Sequence, residues 1–189
     1  RSLQDGDCIL TLGAGNIHEQ GAALARDIAF IEELQGCMGS GVAKLYEPLS
    51  KHTTLRIGGP AQYWIEPETE EGFARLVRHC SSKGVPIFVL GRGSNLLVRD
   101  GGIRGVVVHL ARGEFKKLEV KGETITAGAG VRQKELAIAA RDASLTGFEW
   151  FEGIPGNVGG ALRMNAGAMG SEAFDQVISV RYVDAGGEF

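Results

Sequence analysis

The sequence has few cysteines, no long apolar run and no export signal. Cys8, Cys37 and Cys80 are odd in number and widely spaced, without a Cys-x-x-Cys pair, which argues against a disulfide framework or a zinc site. A reducing cytoplasm fits this cysteine usage best. The longest apolar runs, such as Val85 to Leu90, are far too short to span a bilayer, so membrane insertion is not expected.

The sequence also lacks a concentration of positive charge. Its 189 residues include 20 Lys and Arg against 23 Asp and Glu, a net charge of −3, and the basic residues are scattered along the chain. Proteins that bind nucleic acid usually carry a basic patch or stripe. Nucleic acid is therefore not an expected partner, and the 43% hydrophobic content indicates an ordinary folded protein.

Two familiar kinds of catalytic site are missing as motifs. His18, His52, His79 and His109 are isolated, without the spacing of paired metal ligands, so no metal site is predicted. No serine lies in Gly-x-Ser-x-Gly, the turn that presents a hydrolase nucleophile. Metal-assisted and acyl-transfer chemistry therefore have no support in the sequence.

Glycine is the residue present in excess, at 29 of 189 residues, about twice the usual share of roughly 7%. Three strand-like runs end in Gly-x-Gly, at residues 13–15, 91–93 and 128–130. Such turns expose backbone N–H groups to an anion, although each is equally explained as a tight turn. The third glycine of the Rossmann fingerprint is missing each time and no Walker A sequence occurs, so a bound nucleotide requires another architecture.

The periodicity of apolar residues predicts two regions. A strand at 8–12 precedes a helix that carries Leu24, Ile28 and Ile31 on one face and stops at Gly36, and the stretch from Gly36 to Gly41 is linker-like. Beyond it, a strand at 62–65, a helix and a strand at 86–90 form a β-α-β unit. In that helix Phe73, Leu76, Val77 and Cys80 recur at helical spacing, and Gly84 is the expected C-terminal cap.

The second strand of this unit runs directly into the loop Gly91 to Asn95. In open α/β sheets, ligands usually bind at the carboxyl ends of the strands. Shorter strands are predicted at 106–108, 118–120 and 124–126, then a helix at 133–143 and a final strand at 177–183. These elements predict an α+β domain.

Four segments carry a family resemblance, at residues 49–61, 91–98, 128–131 and 153–170. Together they resemble the UDP-N-acetylenolpyruvoylglucosamine reductase family over residues 48–189. The resemblance implies an α+β, two-lobed FAD-binding fold of the PCMH/vanillyl-alcohol-oxidase type. The alternatives are another FAD-dependent oxidoreductase of the same fold and a non-catalytic nucleotide-binding module.

The resemblance also implies which residues bind the cofactor. The pyrophosphate loop would comprise Gly91, Arg92, Gly93, Ser94, Asn95 and Leu96, unless this is a simple β-turn with Arg92 in solvent. Gly128 and Gly130 would also bind the cofactor. Segments of small residues would pass near the flavin, unless their glycines are structural: Gly153, Ile154, Pro155, Gly156, Val158, Gly159, Gly160, Asn165, Ala166, Gly167 and Ala168. Related oxidases often attach flavin to a histidine near this loop, whereas Ser94 implies noncovalent FAD. The family often has an aromatic residue where Met169 stands.

The implied reaction reduces the double bond of UDP-N-acetylglucosamine enolpyruvate, a UDP-sugar, to UDP-N-acetylmuramate during peptidoglycan synthesis. NADPH would reduce FAD, which then delivers hydride. The family's catalytic arginine, proton-donating serine or cysteine, and glutamate are expected downstream of the final predicted strand. No catalytic residue is therefore assigned within residues 1–189.

Residues 1–35 resemble a different family. The stretch from Gly6 to Ile17 is similar to the end of UDP-N-acetylmuramate–alanine ligase, which implies a strand-helix remnant of an α/β ligase domain with the rest fused upstream. The alternative is an ordinary N-terminal extension. The expected organisation is a ligase remnant at 1–35, a linker at 36–47 and an FAD-binding domain at 48–189 that is incomplete at its C-terminal end. The first 35 residues should then pack loosely on the rest.

Overall fold

The computed structural model describes residues 12–13 and 15–189. The helices are α1 (Ile17–Met38), α2 (Glu70–Lys83), α3 (Gln133–Asp142) and α4 (Val158–Met164). The strands are β1 (Gly41–Pro48), β2 (Pro60–Pro67), β3 (Ile87–Val89), β4 (Ile103–Val108), β5 (Leu118–Lys121), β6 (Thr124–Ala127), β7 (Gly167–Ala168) and β8 (Ser171–Glu172). None of the helices in the described ranges is long and apolar enough to cross a membrane.

The main sheet has four strands in the order β1-β2-β4-β3. β1 pairs antiparallel with β2, whereas β2 and β3 are each parallel to β4. The predicted β-α-β unit is therefore present as β2-α2-β3, but β4 lies between its two strands. Gly91 follows the C-terminal end of β3, as predicted.

Helix α2 forms where the sequence predicts it because both ends are capped. The Thr69 side chain accepts a hydrogen bond from the Gly72 amide at 3.0 Å, and Gly84 ends the helix in a left-handed conformation with φ 65°. Leu76 is buried in an apolar cluster with Tyr63 and Ile65 of β2, and Phe73 packs against this cluster. The prediction that these side chains face the sheet is confirmed for Leu76 and Phe73, and Val77 is buried.

Helix α1 corrects the predicted linker. It continues through Gly36 to Met38, and the next strand, β1, begins at Gly41, so residues 36–47 are a helix end and a paired strand. Leu34 and Met38 are fully buried in one cluster with Leu76 of α2. The burial of these two side chains offsets the weak helix propensity of Gly36. The predicted stop at Gly36 is wrong, as is the loose packing expected for the part of 1–35 that the structure describes.

A buried carboxylate fastens α1 to the sheet. Asp27 accepts hydrogen bonds from the Tyr63 hydroxyl at 2.6 Å, from Gln62 Nε2 at 3.0 Å and from the Tyr46 hydroxyl. Burial by itself raises the pKa of Asp27, but these hydrogen bonds outweigh it and lower the pKa below its usual value. Since the donors stand on β1 and β2, α1 is held by polar as well as apolar contacts.

The second part of the fold packs around its own apolar cluster. The β5-β6 hairpin and α3 occur where the strands at 118–120 and 124–126 and the helix at 133–143 are predicted. The buried members of the cluster are Val131, Leu136, Ala137, Trp150, Phe151, Ala161 and Ala173. The indole of Trp150 stacks on the Phe151 ring with centroids 3.9 Å apart.

One predicted strand is not found, and another lies almost wholly outside the described residues. Residues 177–183 alternate in polarity but form no strand, because no described strand lies beside them to pair with their backbone; Ile178 is 82% exposed. The strand predicted at 8–12 lies, apart from Leu12, outside the described residues. Ala14, the central residue of the first Gly-x-Gly, also lies outside them.

Candidate functional site

A cavity of about 520 Å³ lies beside the carboxyl ends of β3 and β4. It is bounded by the turn after β1, the loop after β3, the segment after β4 and the turn that precedes α4. Its lining residues are Lys51, His52, Thr53, Thr54, Arg56, Gly91, Arg92, His109, Ala111, Lys116, Gly130, Arg132 and Asn157. The volume lies within the range typical of small-molecule sites.

The cavity is strongly basic. Its lining contains five lysine or arginine residues and two histidines, and no aspartate or glutamate among the residues described. Lys51 pairs with Glu47 at 3.6 Å, and Lys116 pairs with Glu135 at 2.9 Å. Arg56 and Arg92 have no carboxylate within 4.0 Å in the described part of the chain, so two full positive charges are available to an anionic ligand.

The loop from Gly91 to Leu96 leaves its amides free. No backbone N–H of these six residues donates to an acceptor in the described ranges. Other atoms hold the loop in place: the Gly93 carbonyl accepts from the Thr54 amide at 3.1 Å, and the Ser94 hydroxyl donates to the Pro155 carbonyl at 2.9 Å. Phosphate groups are commonly bound by free backbone N–H groups of this kind, and the unpaired arginines beside them add positive charge.

Gly93 lies where two chain segments touch. A Cβ built at this position, where φ is 60°, would lie 2.4 Å from the His52 carbonyl oxygen and 2.8 Å from the Thr53 Cα. The missing side chain therefore permits close contact between the loop after β3 and the turn after β1.

The third Gly-x-Gly turn uses its amides internally. The Gly128 amide donates to the Lys117 carbonyl and the Gly130 amide to the Phe115 carbonyl, both at 2.8 Å. A Cβ on Gly130 would lie 1.7 Å from the Leu110 carbonyl oxygen. These glycines permit close backbone packing and their own amides are occupied, which favours the tight-turn alternative for this segment.

Asn157 is a cavity residue to which sequence reasoning assigned no role. It is 7% exposed, and its Oδ1 has no hydrogen-bond partner in the described structure. Its neighbours are fixed by the amide of Gln133, which donates to the Gly156 carbonyl at 3.1 Å, and by the amide of Val158, which donates to the Val131 carbonyl at 2.9 Å. A buried carboxamide without a partner is costly unless a ligand or water satisfies it.

His52 and His109 line the same cavity. The His52 ring stacks on fully buried Trp64 with centroids 3.9 Å apart, and its Nε2 donates to Glu47 at 3.0 Å. His109 Nδ1 lies 2.9 Å from the Leu90 carbonyl oxygen. Because a carbonyl only accepts, that nitrogen must carry a proton. The two histidines are isolated in the sequence, and the fold brings them together because the cavity joins segments that are distant along the chain.

The Glu47 carboxylate pairs with basic side chains next to the cavity. Burial raises its pKa, but the His52 hydrogen bond and the charges of Lys44 and Lys51 outweigh burial and lower it. Glu47 is therefore present as the carboxylate anion. It holds His52 and Lys51 in place without lining the cavity itself.

The structure brings only some of the predicted site residues together. Gly91, Arg92 and Gly130 line the cavity. Ser94 and Gly156 do not line it, but each makes a hydrogen bond that holds a neighbouring segment in place. The predicted residues that do not line it are Gly93, Ser94, Asn95, Leu96, Gly128, Gly153, Ile154, Pro155, Gly156, Val158, Gly159, Gly160, Asn165, Ala166, Gly167 and Ala168. Met169 is 94% exposed.

The comparisons with known proteins agree with this architecture. The family described as FAD binding domain matches residues 61–189, and the chain belongs to that family. The expected α+β FAD-binding fold is thereby confirmed. The resemblance of residues 1–35 to a ligase gains no support from these matches.

Curated proteins similar to this chain include UDP-N-acetylenolpyruvoylglucosamine reductases. The protein from Syntrophomonas wolfei is 46% identical over 144 residues, which are 76% of this chain and 48% of that protein. The protein from Azorhizobium caulinodans is 45% identical over 159 residues, 84% of this chain and 49% of that protein. The chain thus spans about half the length of these relatives. A match of 159 residues does not fit between residue 48 and Phe189, so the similarity begins upstream of residue 48.

A solved structure supports the same relationship. The crystal structure of UDP-N-acetylenolpyruvylglucosamine reductase from Thermus caldophilus is 39% identical, with a TM-score of 0.58 over 72% of this chain and 46% of that one. The 4-ethylphenol oxidase from Gulosibacter chungangensis, at 22% identity, has a TM-score of 0.50 over 64% of this chain and 25% of that one. The oxidase shares the fold alone.

Proposed function

We propose that this chain binds FAD noncovalently in the basic cavity and is the flavin-binding part of a reductase. The observation that carries the proposal is a cavity with two unpaired arginines, no lining carboxylate and a loop of free amides. FAD joins two nucleotides through a pyrophosphate that carries two negative charges, and this lining complements it. The match to the FAD binding domain family supports the same assignment.

The residues that would hold the cofactor follow from their chemistry. The Gly91 and Arg92 amides and the Arg92 guanidinium would bind phosphate oxygens, and the unpartnered Oδ1 of Asn157 would accept a hydrogen bond from the cofactor. His109, with its proton on Nδ1, keeps a fixed tautomer at the cavity wall. FAD, when bound, accepts and donates a hydride.

The proposed reaction is the one named by the relatives. A UDP-sugar, UDP-N-acetylglucosamine enolpyruvate, would be reduced with NADPH as the source of hydride, in the cytoplasm, during peptidoglycan precursor synthesis. No catalytic residue is assigned among these 189 positions. Polar neighbours of the second glycine-rich segment, such as Arg163 and Glu172, do not line the cavity.

A titration with two arginine variants tests the FAD site. Arg92→Ala should raise the FAD dissociation constant about tenfold or more, because a charge-assisted hydrogen bond to phosphate is lost. Arg104→Ala removes the same charge from an exposed residue that does not line the cavity, and should bind FAD as the parent does. Quenching of flavin fluorescence reports the affinity.

Either of two results would contradict the site. One is a parent chain, shown to be folded, that binds no FAD. The other is equal weakening by Arg92→Ala and Arg104→Ala, which would indicate a general charge effect. Acid precipitation separates the related alternative of an oxidase with attached flavin, since noncovalent FAD is released into the supernatant and covalent flavin stays with the protein.

A further inference from the structure

Arg56 combines an exposed cationic side chain with a strained backbone. Its φ is 55°, in the left-handed region that is unfavourable for a residue with a Cβ. The turn is closed by the Arg56 amide, which donates to the Thr53 carbonyl at 3.1 Å, and by the Thr53 hydroxyl, which donates to the Ile57 carbonyl at 2.9 Å. Thr53 is 6% exposed, so this strained turn is anchored to the core.

The same turn is joined to the loop after β3. The Thr54 amide donates to the Gly93 carbonyl at 3.1 Å, and Gly93 leaves no room for a Cβ beside the His52 carbonyl. The turn at residues 52–56 and the loop after β3 are therefore held together on one side of the cavity. Strain that is maintained by surrounding contacts in this way is characteristic of functional sites.

Arg56 and Arg92 both line the cavity. These are the cavity arginines and lysines that lack a carboxylate partner among the described residues, whereas Lys51, Lys116 and Arg132 each have one. A guanidinium presents paired donors that fit phosphate oxygens. Two unpaired guanidiniums in one cavity fit a ligand with two adjacent phosphates better than a ligand with one charge.

We propose that Arg56 is a ligand-binding residue that holds the diphosphate of the bound dinucleotide together with Arg92. The proposal rests on the proposed FAD site and deepens it by assigning a second cation, from a different chain segment, to the same diphosphate. The strained turn serves to direct this guanidinium into the cavity.

The test separates binding from stability through the choice of replacement. Arg56→Gly removes the guanidinium and also relieves the left-handed backbone, so the thermal midpoint of unfolding should stay equal to that of the parent or rise. The dissociation constants of FAD and of ADP, which both carry a diphosphate, should rise about tenfold or more. Riboflavin, which carries no phosphate, should bind as it does to the parent. Arg56→Lys should give an intermediate loss for FAD and ADP.

Arg104→Ala serves as the charge control and should leave all three ligands unaffected. A parent that binds ADP but not FAD overturns the proposed cofactor while Arg56 is still tested with ADP. A parent that binds neither overturns both proposals. Equal affinity of FAD for Arg56→Gly and the parent overturns the role of Arg56 alone, and so does an equal loss for riboflavin and FAD.

Discussion

At the scale of single residues, Asp27 makes a contribution to stability that depends on pH. Its pKa in the folded protein lies below the ordinary 3.8, because three hydrogen-bond donors stabilise the charged form against the cost of burial. Because the pKa of Asp27 is lower in the folded protein than in the unfolded chain, its contribution to stability is fully present at a pH above the unfolded pKa. It is lost as the pH falls through the folded pKa.

Asp27→Asn should therefore lower the free energy of unfolding at neutral pH by about 1–3 kcal/mol, since hydrogen bonds to a charged acceptor are lost. The deficit relative to the parent should shrink as the pH falls from 3.8 through the lower folded pKa, at which the carboxylate of the folded parent becomes protonated. Urea unfolding followed by circular dichroism across this pH range measures both effects. Glu32→Gln, at an exposed carboxylate of the same helix, is the control; a deficit from Asp27→Asn that persists unchanged in acid would contradict this account.

Individual glycines show why residue type alone predicts only part of a site. Gly91 and Gly130 both border the cavity, but Gly130, like Gly93, is also needed where two backbones touch. A position without a Cβ suits either purpose, so a Gly-x-Gly pattern cannot distinguish a phosphate loop from tight internal packing. The distinction depends on neighbours that are distant in sequence, such as the His52 and Leu110 carbonyls.

At the scale of elements, the end of α1 provides a matched pair of glycine substitutions. Gly36 lies inside the helix, and a Cβ there would meet nothing within 4 Å. Gly36→Ala should raise the free energy of unfolding by about 0.5–1 kcal/mol, because alanine favours the helix and loses less conformational entropy on folding. Thermal or urea unfolding measures the change.

Gly39 is the natural control, because it ends the same helix at φ 73°. There the same replacement should destabilise the protein, since alanine is strained in the left-handed region. If both replacements had no effect, residues 36–39 would behave as the linker that the sequence suggested, and the helical assignment would be contradicted.

Local elements were predictable where the signal is local. The caps of α2 and its apolar spacing at Phe73, Leu76 and Val77 lie within one stretch of chain, and that helix was predicted correctly. The strand predicted at 177–183 had the right alternation, but a strand also needs a paired neighbour, which the pattern does not supply. For the same reason the strand order could not be foreseen.

At the scale of the whole molecule, binding and turnover should separate. We expect the 189-residue chain to bind FAD but to oxidise NADPH with UDP-N-acetylglucosamine enolpyruvate at little above the background rate. The reason is that the chain spans about half of its relatives and no catalytic residue is assigned within it. Loss of NADPH absorbance measures turnover, with the Syntrophomonas wolfei reductase as the positive control. A rate close to that of the control would place the catalytic groups within these residues.

The cavity residues show which part of the site could be predicted from the sequence. The resemblance located Arg92 and Gly91, and it included the segment that contains His52 and Arg56 without assigning roles to them. Lys116, Arg132 and Asn157 join the cavity from three other places along the chain. Only the folded sheet brings these charges together, and their lack of acidic neighbours is a property of the assembled wall.

The position of β4 in the middle of the sheet affects how this protein emerges from the ribosome. β1 and β2 can pair as soon as they are made, but β2 and β3 both require β4, which is synthesised after them. Until residue 108 leaves the exit tunnel, the nascent chain carries two apolar strands whose hydrogen-bonding edges are open. Such edges are where nascent chains aggregate or engage chaperones. Translation speed through residues 90–108 should therefore affect the yield of folded protein more than its final stability.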